Sequence, residues 1–315
     1  MSPLEPQLLG VLVTFRRHEG LRDVLRGLAE QTRPLDRLVV VDNAASPTSR
    51  GIVEDHGAQG HPVRYVDARR NLGSQGGCAL GASQVLAEAR DEDWIVLLDD
   101  DQPPDRPDLL ERLLAFALRC RDADPRTACV GAVGARLDRR RGRTLRPRDD
   151  ELDGPVPVDY VGSGHLPFYS VGAVRDVGFI HGEMFFGFGE LELGIRLRRH
   201  GWTVYADGEL TSAFRRRWGA WGVEVPQASR RIGGPPSWRQ YYSLRNLIWL
   251  LRRHGHHGAA ARVALLTGLA KPLVNLPRSP SDAARHLVLN LRAVRDGYLG
   301  RLGKRLEPDL ARYPS

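Results

Sequence analysis

The hydrophobic pattern in the first half of the chain switches repeatedly between two periods. Leu8–Thr14 (LLGVLVT) is a continuous apolar run of strand length, and residues 20–31 place Leu21, Val24, Leu25 and Leu28 at helical spacing. The alternation continues along the chain. Residues 38–42 (LVVVD) and Val63–Asp67 read as strands, 77–90 as a helix, Trp94–Asp99 (WIVLLD) as a strand ending in acid, 107–121 as a helix and 130–137 as a strand. This order predicts an α/β fold, a parallel sheet with helices on both faces. Residues 138–157, charged and carrying Pro and Gly, predict an exposed loop, and 215–236 predict an irregular segment. From residue 237 the pattern is helical: Trp238–Arg253, 259–275 and 281–298. The predicted organisation is a catalytic domain over 1–210, a linker or lid over 211–236, and a helical region over 237–315.

In such sheets ligands gather beyond the carboxyl ends of the strands. Four polar segments fall there: Thr14, the pair Asp42 and Asn43, residues 71–77, and the run Asp99, Asp100 and Asp101. Three consecutive carboxylates repel one another unless a cation neutralises them, and acids at i and i+2 suit a hard divalent ion that also grips phosphate. The same run also suits an acidic turn capping the next helix. Residues 71–77 (NLGSQGG) offer glycines for close backbone approach and open a helix whose N-terminus favours anions; a plain tight turn fits them too. Asp42 and Asn43 suit a ribose hydroxyl or base edge, or a turn. Further on, Glu190 and Glu192 start a predicted helix (190–200) behind the aromatic run FFGF. Shielding by those rings would raise the basicity of Glu190, fitting it to deprotonate a hydroxyl. Glu192 also stands four residues before Arg196, at ion-pair spacing.

Charge changes the picture in the second half. Residues 211–315 hold 19 Lys and Arg against 5 Asp and Glu, whereas residues 1–210 hold 27 against 33. A basic tail behind a mildly acidic domain points to an anionic partner such as a membrane surface or phosphorylated acceptor, or to a solvated helical surface. The longest apolar stretch, residues 263–276, contains Lys271 and Pro272 and is too short to span a bilayer, though it can lie on one. Cys78, Cys120 and Cys129 are scattered without zinc-site spacing, which fits a reducing cytoplasm. The opening MSPLEPQLLGVLVTF has neither charged n-region nor cleavage site, which points away from secretion. No nucleic-acid module is recognisable.

Taken in order, VLVTFRR, VVVDNAAS, NLGSQGG with LLDDD, FFGFGELELGIRLRRHGW and YYSLRNLIWLLRRHG resemble the family 2 glycosyltransferases over roughly residues 8–255. The motifs are most similar to galactofuranosyl- and rhamnosyltransferase-like members. The resemblance implies a GT-A fold, a nucleotide-sugar-binding sheet flanked by helices with a C-terminal helical extension. It implies an inverting transfer of sugar from UDP or dTDP to a hydroxyl of a glycan, lipid-linked or natural-product acceptor. By position it assigns Thr14, Asp42, Asn43, Asn71, Gly76, Gly77, Asp99 and Asp100 to the nucleotide sugar. Asp99 and Asp101 fall to a Mg2+ or Mn2+ ion and Glu190 to the base, with His165, Glu192 and Trp218 on the acceptor side or over the donor. Trp218 and Trp221 lie in the expected lid.

Two departures stand out. Gly189 occupies the place where many members carry a second acid, leaving Glu190 alone at the base position. GELTSAFRRRW lacks the metal-binding His of many members, so the ion keeps fewer protein ligands or one of Arg215, Arg216 and Arg217 supplies part of its charge. The expected setting is the cytoplasm, with peripheral contact at the inner face of the cell membrane through the basic helices; oligomerisation stays open. Two other readings compete: a metal-dependent nucleotidyltransferase, for which TFRRHEG is a poor signature, and a non-catalytic basic surface-binding protein.

Overall fold

The structure is a computed structural model, described here for residues 5–222, 237–275 and 279–308. Its first half runs β1 (Leu8–Thr14), α1 (His18–Ala29), β2 (Arg37–Asp42), α2 (Pro47–Ala58), β3 (Val63–Asp67), α3 (Gly73–Leu86), β4 (Trp94–Asp99), α4 (Leu109–Ala123) and β5 (Thr127–Gly131). β1 lies between β2 and β4 and pairs in parallel with both, and β3 pairs in parallel outside β2. Alternate side chains of β1 point to opposite faces. Leu8 and Leu12 join Leu21, Val24, Leu25 and Leu28 of α1 and the apolar face of α4, while Leu9 and Val11 join Cys78 and Val85 of α3. Each such aliphatic side chain, fully buried, contributes about 1.5–3 kcal/mol.

Two helices differ from the sequence expectation. The helix expected over 77–90 begins at Gly73, so the glycine-rich stretch lies mostly inside its first turn. Helix α2 was not predicted, because it buries only Ser49, Val53 and His56 and has little apolar periodicity. Its start was nonetheless written in Ser46, whose hydroxyl accepts from the Ser49 amide at 3.4 Å, followed by Pro47.

The second half contains β6 (Gly134–Asp138), β7 (Arg143–Leu145), β8 (Pro155–Pro157), β9 (Tyr160–Val161), β10 (Phe168–Ser170), α5 (Val171–Val177), α6 (Gly189–Arg199), β11 (Thr203–Asp207) and α7 (Gly208–Arg217). The main sheet has the order β3-β2-β1-β4-β10-β5-β11-β8, with a small sheet β7-β6-β9 beside it. It is mixed, not wholly parallel as expected, since β10 runs antiparallel between β4 and β5 and β8 runs antiparallel on β11. The strand expected over 130–137 is split between two sheets. Gly131 and Gly134 pack so closely on Val161 and Val158 that an added Cβ would lie 2.5 and 2.7 Å from their methyls, and the chain bends between them. The loop expected over 138–157 contains β7 and β8. The irregular segment expected from 215 begins later, because α7, capped by Asp207 accepting from the Leu210 amide at 3.0 Å, continues to Arg217. The linker expected from 211 thus starts inside that helix, and residues 223–236 lie outside the described residues.

The C-terminal part runs α8 (Trp238–Arg253), α9 (His257–Val263), a π-helical turn (Ala264–Ala270), α10 (Lys271–Asn275) and α11 (Pro280–Tyr298). One continuous α-helix was expected over 259–275; the π segment interrupts it. Helix α8 packs Tyr241, Tyr242, Leu244 and Ile248 against Phe185 and against Leu191 and Ile195 of α6. Two buried polar residues of α8 then fix the backbone that leads into α6. Arg245 donates to the Met184 carbonyl at 2.8 Å, and the Asn246 amide donates to the carbonyls of Met184 at 2.9 Å and Phe186 at 2.8 Å. Among the described residues no helix is long and apolar enough to cross a membrane.

Candidate active site

The carboxyl ends of β1 and β4, the start of α3 and the start of α6 surround a cleft of about 470 Å3. Its walls include Thr14, Asn43, Asn71, Gly73, the three aspartates Asp99, Asp100 and Asp101, His165 and Glu190. Residues scattered over much of the sequence therefore meet, as the strand-end argument anticipated.

The acidic run is held by short contacts. The Ser163 hydroxyl donates to Asp99 Oδ2 at 2.8 Å, and the Thr14 hydroxyl donates to Asp100 Oδ2 at 2.9 Å. Arg17 Nη1 lies 2.5 Å from Asp101 Oδ2. Burial pushes both inner carboxyls up: Asp99 rises above its ordinary value, with Asp101 adding to the effect, and Asp100 is pushed up to about 6. Three adjoining carboxylates, two of them buried and facing one guanidinium, form a fitting seat for a hard cation. Among the described residues no group of three or more His, Cys, Asp and Glu side chains converges to hold a metal ion. Among the described residues the cleft offers aspartates alone as acidic ligands at this edge, which fits a hard divalent ion that would complete its shell with phosphate and water oxygens. Asp99 and Asp101 are the residues that would hold it.

The glycine-rich segment contributes one glycine, Gly73, and not the two expected. Gly73 has φ +72°, and an added Cβ would stand 2.0 Å from the Phe185 carbonyl oxygen. Asn43 splints this turn, donating to the Gly73 carbonyl and accepting from the Leu72 amide, both at 3.0 Å, and Asn71 accepts from the Gly73 amide at 2.8 Å. Gly76 and Gly77 do not line the cleft. A Cβ on Gly77 would sit 2.5 Å from a Val13 methyl and one on Gly76 2.7 Å from Leu72 Cβ, so they let α3 close against its neighbours.

Glu190 is buried at the start of α6 beside Gln75, Ser163 and the Asp99 carboxylate. Burial, reinforced by Asp99, raises its pKa. Gly189 has a local reason: its Cβ would lie 1.7 Å from Gln75 Oε1, so Gln75 fills the space beside the base. Backbone strain gathers around the same cleft. Of the six described non-glycine residues with positive φ, Arg16, Leu166, Phe185 and Phe188 belong to segments that border it.

Several expected site residues lie elsewhere. Asp42 is fully buried; its Oδ1 accepts from the Ala44 amide at 2.8 Å and its Oδ2 from the Ser46 amide and the Tyr65 hydroxyl at 2.7 and 3.0 Å, so it shapes the turn after β2 and turns no oxygen to a ribose. Glu192 is fully buried away from the cleft, 2.8 Å from Arg196 Nη2 and 3.2 Å from His254 Nε2. The i, i+4 pairing won over an acceptor role. Trp218 is 75% exposed at the end of α7 and outside the cleft lining. Arg215, Arg216 and Arg217 do not replace the missing His either: Arg215 pairs with Asp149, Arg216 stacks 3.9 Å from the Trp221 ring centre, and Arg217 pairs with Asp105 at 2.5 Å. The cation beside the aspartates is Arg17. His165 does face the cleft, with Nδ1 buried and without a hydrogen-bond partner, and burial lowers its pKa. Sequence reasoning missed Arg17, Gln75, Ser163, Trp238 and Arg239 as cleft residues. Arg17 and Gln75 stood within the motifs VLVTFRR and NLGSQGG, and Ser163 two residues before His165; Trp238 and Arg239 open a predicted helix, and no signal tied them to the strand ends.

Several known proteins resemble this chain. The galactofuranosyltransferase GlfT1 of Mycolicibacterium smegmatis is 43% identical over 107 residues, 34% of this chain and 34% of the relative. That of Mycobacterium tuberculosis strain H37Rv is 40% identical over 114 residues, 35% of each. The match thus spans about a third of the length of these curated relatives. Among solved structures, GalNAc-T7 with UDP, GalNAc and Mn2+ superposes with a TM-score of 0.53 at 12% identity, covering 80% of this chain and 48% of that one. The mannosyltransferase PcManGT of Pyrobaculum calidifontis, in complex with GDP-Man and Mn2+, gives 0.51 at 14% identity over 94% and 88% of the two chains. These likenesses show the GT-A fold. The sequence profile of glycosyl transferase family 2 matches residues 11–177, more than half of the chain, and the protein belongs to that family.

Proposed function

We propose that this protein is an inverting glycosyltransferase that takes a sugar from UDP or dTDP to an acceptor hydroxyl, with the cleft between β4 and α6 as its active site. The observation that carries the reading is the meeting of Asp99 and Asp101, the Gly73 turn and the buried base Glu190 around one space of ligand size. The Gly73 turn, its own amides taken by Asn43 and Asn71, seats the start of α3 at the cleft beside Ser74, where the positive end of the helix dipole favours the donor phosphates. Asp99 and Asp101 would hold a divalent ion, which would supply positive charge to offset that of the diphosphate. Ser163 and Arg17 hold those aspartates in place. Glu190, kept basic by burial, takes the proton of the acceptor hydroxyl. The acceptor oxygen then bonds to the anomeric carbon as the bond from that carbon to the diphosphate oxygen breaks, and the nucleoside diphosphate leaves with the electron pair.

The names of the relatives favour galactofuranose as the sugar to test first. The acceptor enters from the side of His165, Trp238 and Arg239, and a glycan on a lipid carrier suits the excess of basic residues behind the cleft. Peripheral contact with the inner face of the cell membrane belongs to this reading. Incubation with UDP-galactofuranose or dTDP-rhamnose and product analysis is the test. Release of nucleoside diphosphate supports glycosyl transfer; release of pyrophosphate from a nucleoside triphosphate supports the nucleotidyltransferase instead.

A further inference from the structure

Ten large hydrophobic side chains are exposed among the described residues, and eight of them lie between Leu265 and Leu299. They occupy two neighbouring elements. Leu265 and Leu266 emerge from the π-helical turn and Leu273 and Val274 from α10; Val288 and Leu291, with Tyr298 and Leu299, emerge along or just beyond α11. The π turn lies against α11, for Asn290 donates to the carbonyls of Thr267 and Gly268, both at 3.1 Å. The outward positions 284, 288 and 291 of α11 repeat at helical spacing and are Ala, Val and Leu, with Val288 69% exposed. Helix α11 therefore has two apolar sides. Its inner side holds Ala283 and Ala293 in the core, and its outer side meets solvent.

The charges on the elements around the outer face are predominantly positive. Arg262, Arg285, Arg292 and Arg295 are exposed on these elements, while Asp296 is buried, accepts from the Tyr241 hydroxyl at 2.7 Å and lies 3.0 Å from Arg295 and 4.0 Å from Arg292. Asp282, beside Arg285, is the acid nearest the exposed stripe in the sequence of α11. A second copy of this chain would bring the same arginines against these. An apolar strip within a cationic rim is the pattern of helices that lie in an anionic lipid interface.

We propose that the π turn, α10 and the outer face of α11 form a monotopic membrane-docking surface for anionic lipid, inserting Leu265, Leu266, Val288 and Leu291 at headgroup depth. The elements that carry this surface are tied to the rim of the cleft through their inner side. Gln240, which follows the cleft residues Trp238 and Arg239, donates to Asn290 Oδ1 at 2.8 Å, and Asn290 in turn holds the π turn. An acceptor head group anchored in the same leaflet would meet the cleft at that edge. This last step rests on the glycosyltransferase reading, whereas the docking itself does not.

The test is flotation of the full chain with vesicles of phosphatidylcholine alone and with about 30% phosphatidylglycerol. The wild type is expected to float with the anionic vesicles and to release at high salt. The variant L265S/L266S/V288S/L291S, altered only at exposed positions, is expected to keep its Tm and lose at least about 10-fold in partitioning. Equal flotation of both proteins overturns the proposal. So does light scattering that shows a wild-type dimer which the variant breaks while neither floats. Nucleoside-diphosphate release with a water-soluble acceptor is measured in parallel; its absence in both proteins strikes the proposed activity and leaves the docking result standing.

Discussion

Replacing Glu192 by Gln isolates a buried electrostatic contribution of the helix that carries Glu190. Glu192 has no exposed surface and faces Arg196 at 2.8 Å, His254 at 3.2 Å, His181 at 3.6 Å and Arg253 at 3.7 Å. Burial opposes its charge, but hydrogen bonds from His254 and Arg196 overcome that and lower its pKa from 4.5 to about 2. A folded-state pKa below the unfolded value stabilises the protein fully above about pH 4.5, and this contribution fades as the pH falls through 2. At 1.36 kcal/mol per unit the contribution is about 3 kcal/mol at neutral pH and about 1 kcal/mol near pH 3. Arg196 keeps the carbonyls of Gly178 and Phe179 at 2.8 and 2.7 Å as acceptors, so the variant leaves it partly satisfied, and the cost falls at the lower end of the range of about 3–5 kcal/mol for breaking a buried pair. Urea unfolding of wild type and Glu192→Gln at the two pH values reads the difference. A loss under about 1 kcal/mol at neutral pH, or a loss that does not shrink on acidification, refutes the assignment.

Three further outcomes follow from the same geometry. Gly73→Ala must adopt a left-handed backbone, at about 1–2 kcal/mol, and push its Cβ off the Phe185 carbonyl. It is expected to lower Tm and weaken nucleotide affinity together, which thermal shift with and without UDP would show; unchanged affinity contradicts the role of this turn in seating α3 at the donor site. Glu190→Gln is expected to lower kcat by about 10^2–10^4 while donor binding persists, read by single-turnover kinetics against calorimetry. Because burial raises the pKa of Glu190, wild-type turnover should rise with pH and fall away on acidification sooner than an ordinary carboxylate would dictate, and a pH–rate profile flat through the acid limb counts against it as base.

The sheet and its strand ends were legible because buried parallel strands are nearly continuous apolar runs. β1 and β4 were bounded correctly for that reason, and the acids after β4 could be placed at a ligand-binding edge; β3, half-exposed with alternating residues, has the same bounds as expected without such a run. The short strands β8, β9 and β10 have two or three residues each, too few to show a period, so the antiparallel insertion between β4 and β5 left no local trace. Within the site, residue type marked Glu190 and the three aspartates, but not where lone pairs are used. Asp42 and Glu192 look as reactive in sequence as Asp99; only the fold shows the amides and the arginine that occupy them. Gly76 and Gly77 were misread because Gly73, by its φ, starts the helix a turn earlier than the apolar spacing suggested.

The account centres on the cleft aspartates gripping a nucleoside diphosphate through a cation. Calorimetric titration of UDP into the wild type and the Asp99→Asn and Asp101→Asn variants, each with Mn2+ and with chelator, measures this directly. The account predicts that Mn2+ tightens binding to the wild type by at least about 10-fold, or 1.4 kcal/mol, and that this gain vanishes in both variants. Binding that is equally tight with chelator, or a Mn2+ gain that survives both substitutions, contradicts it.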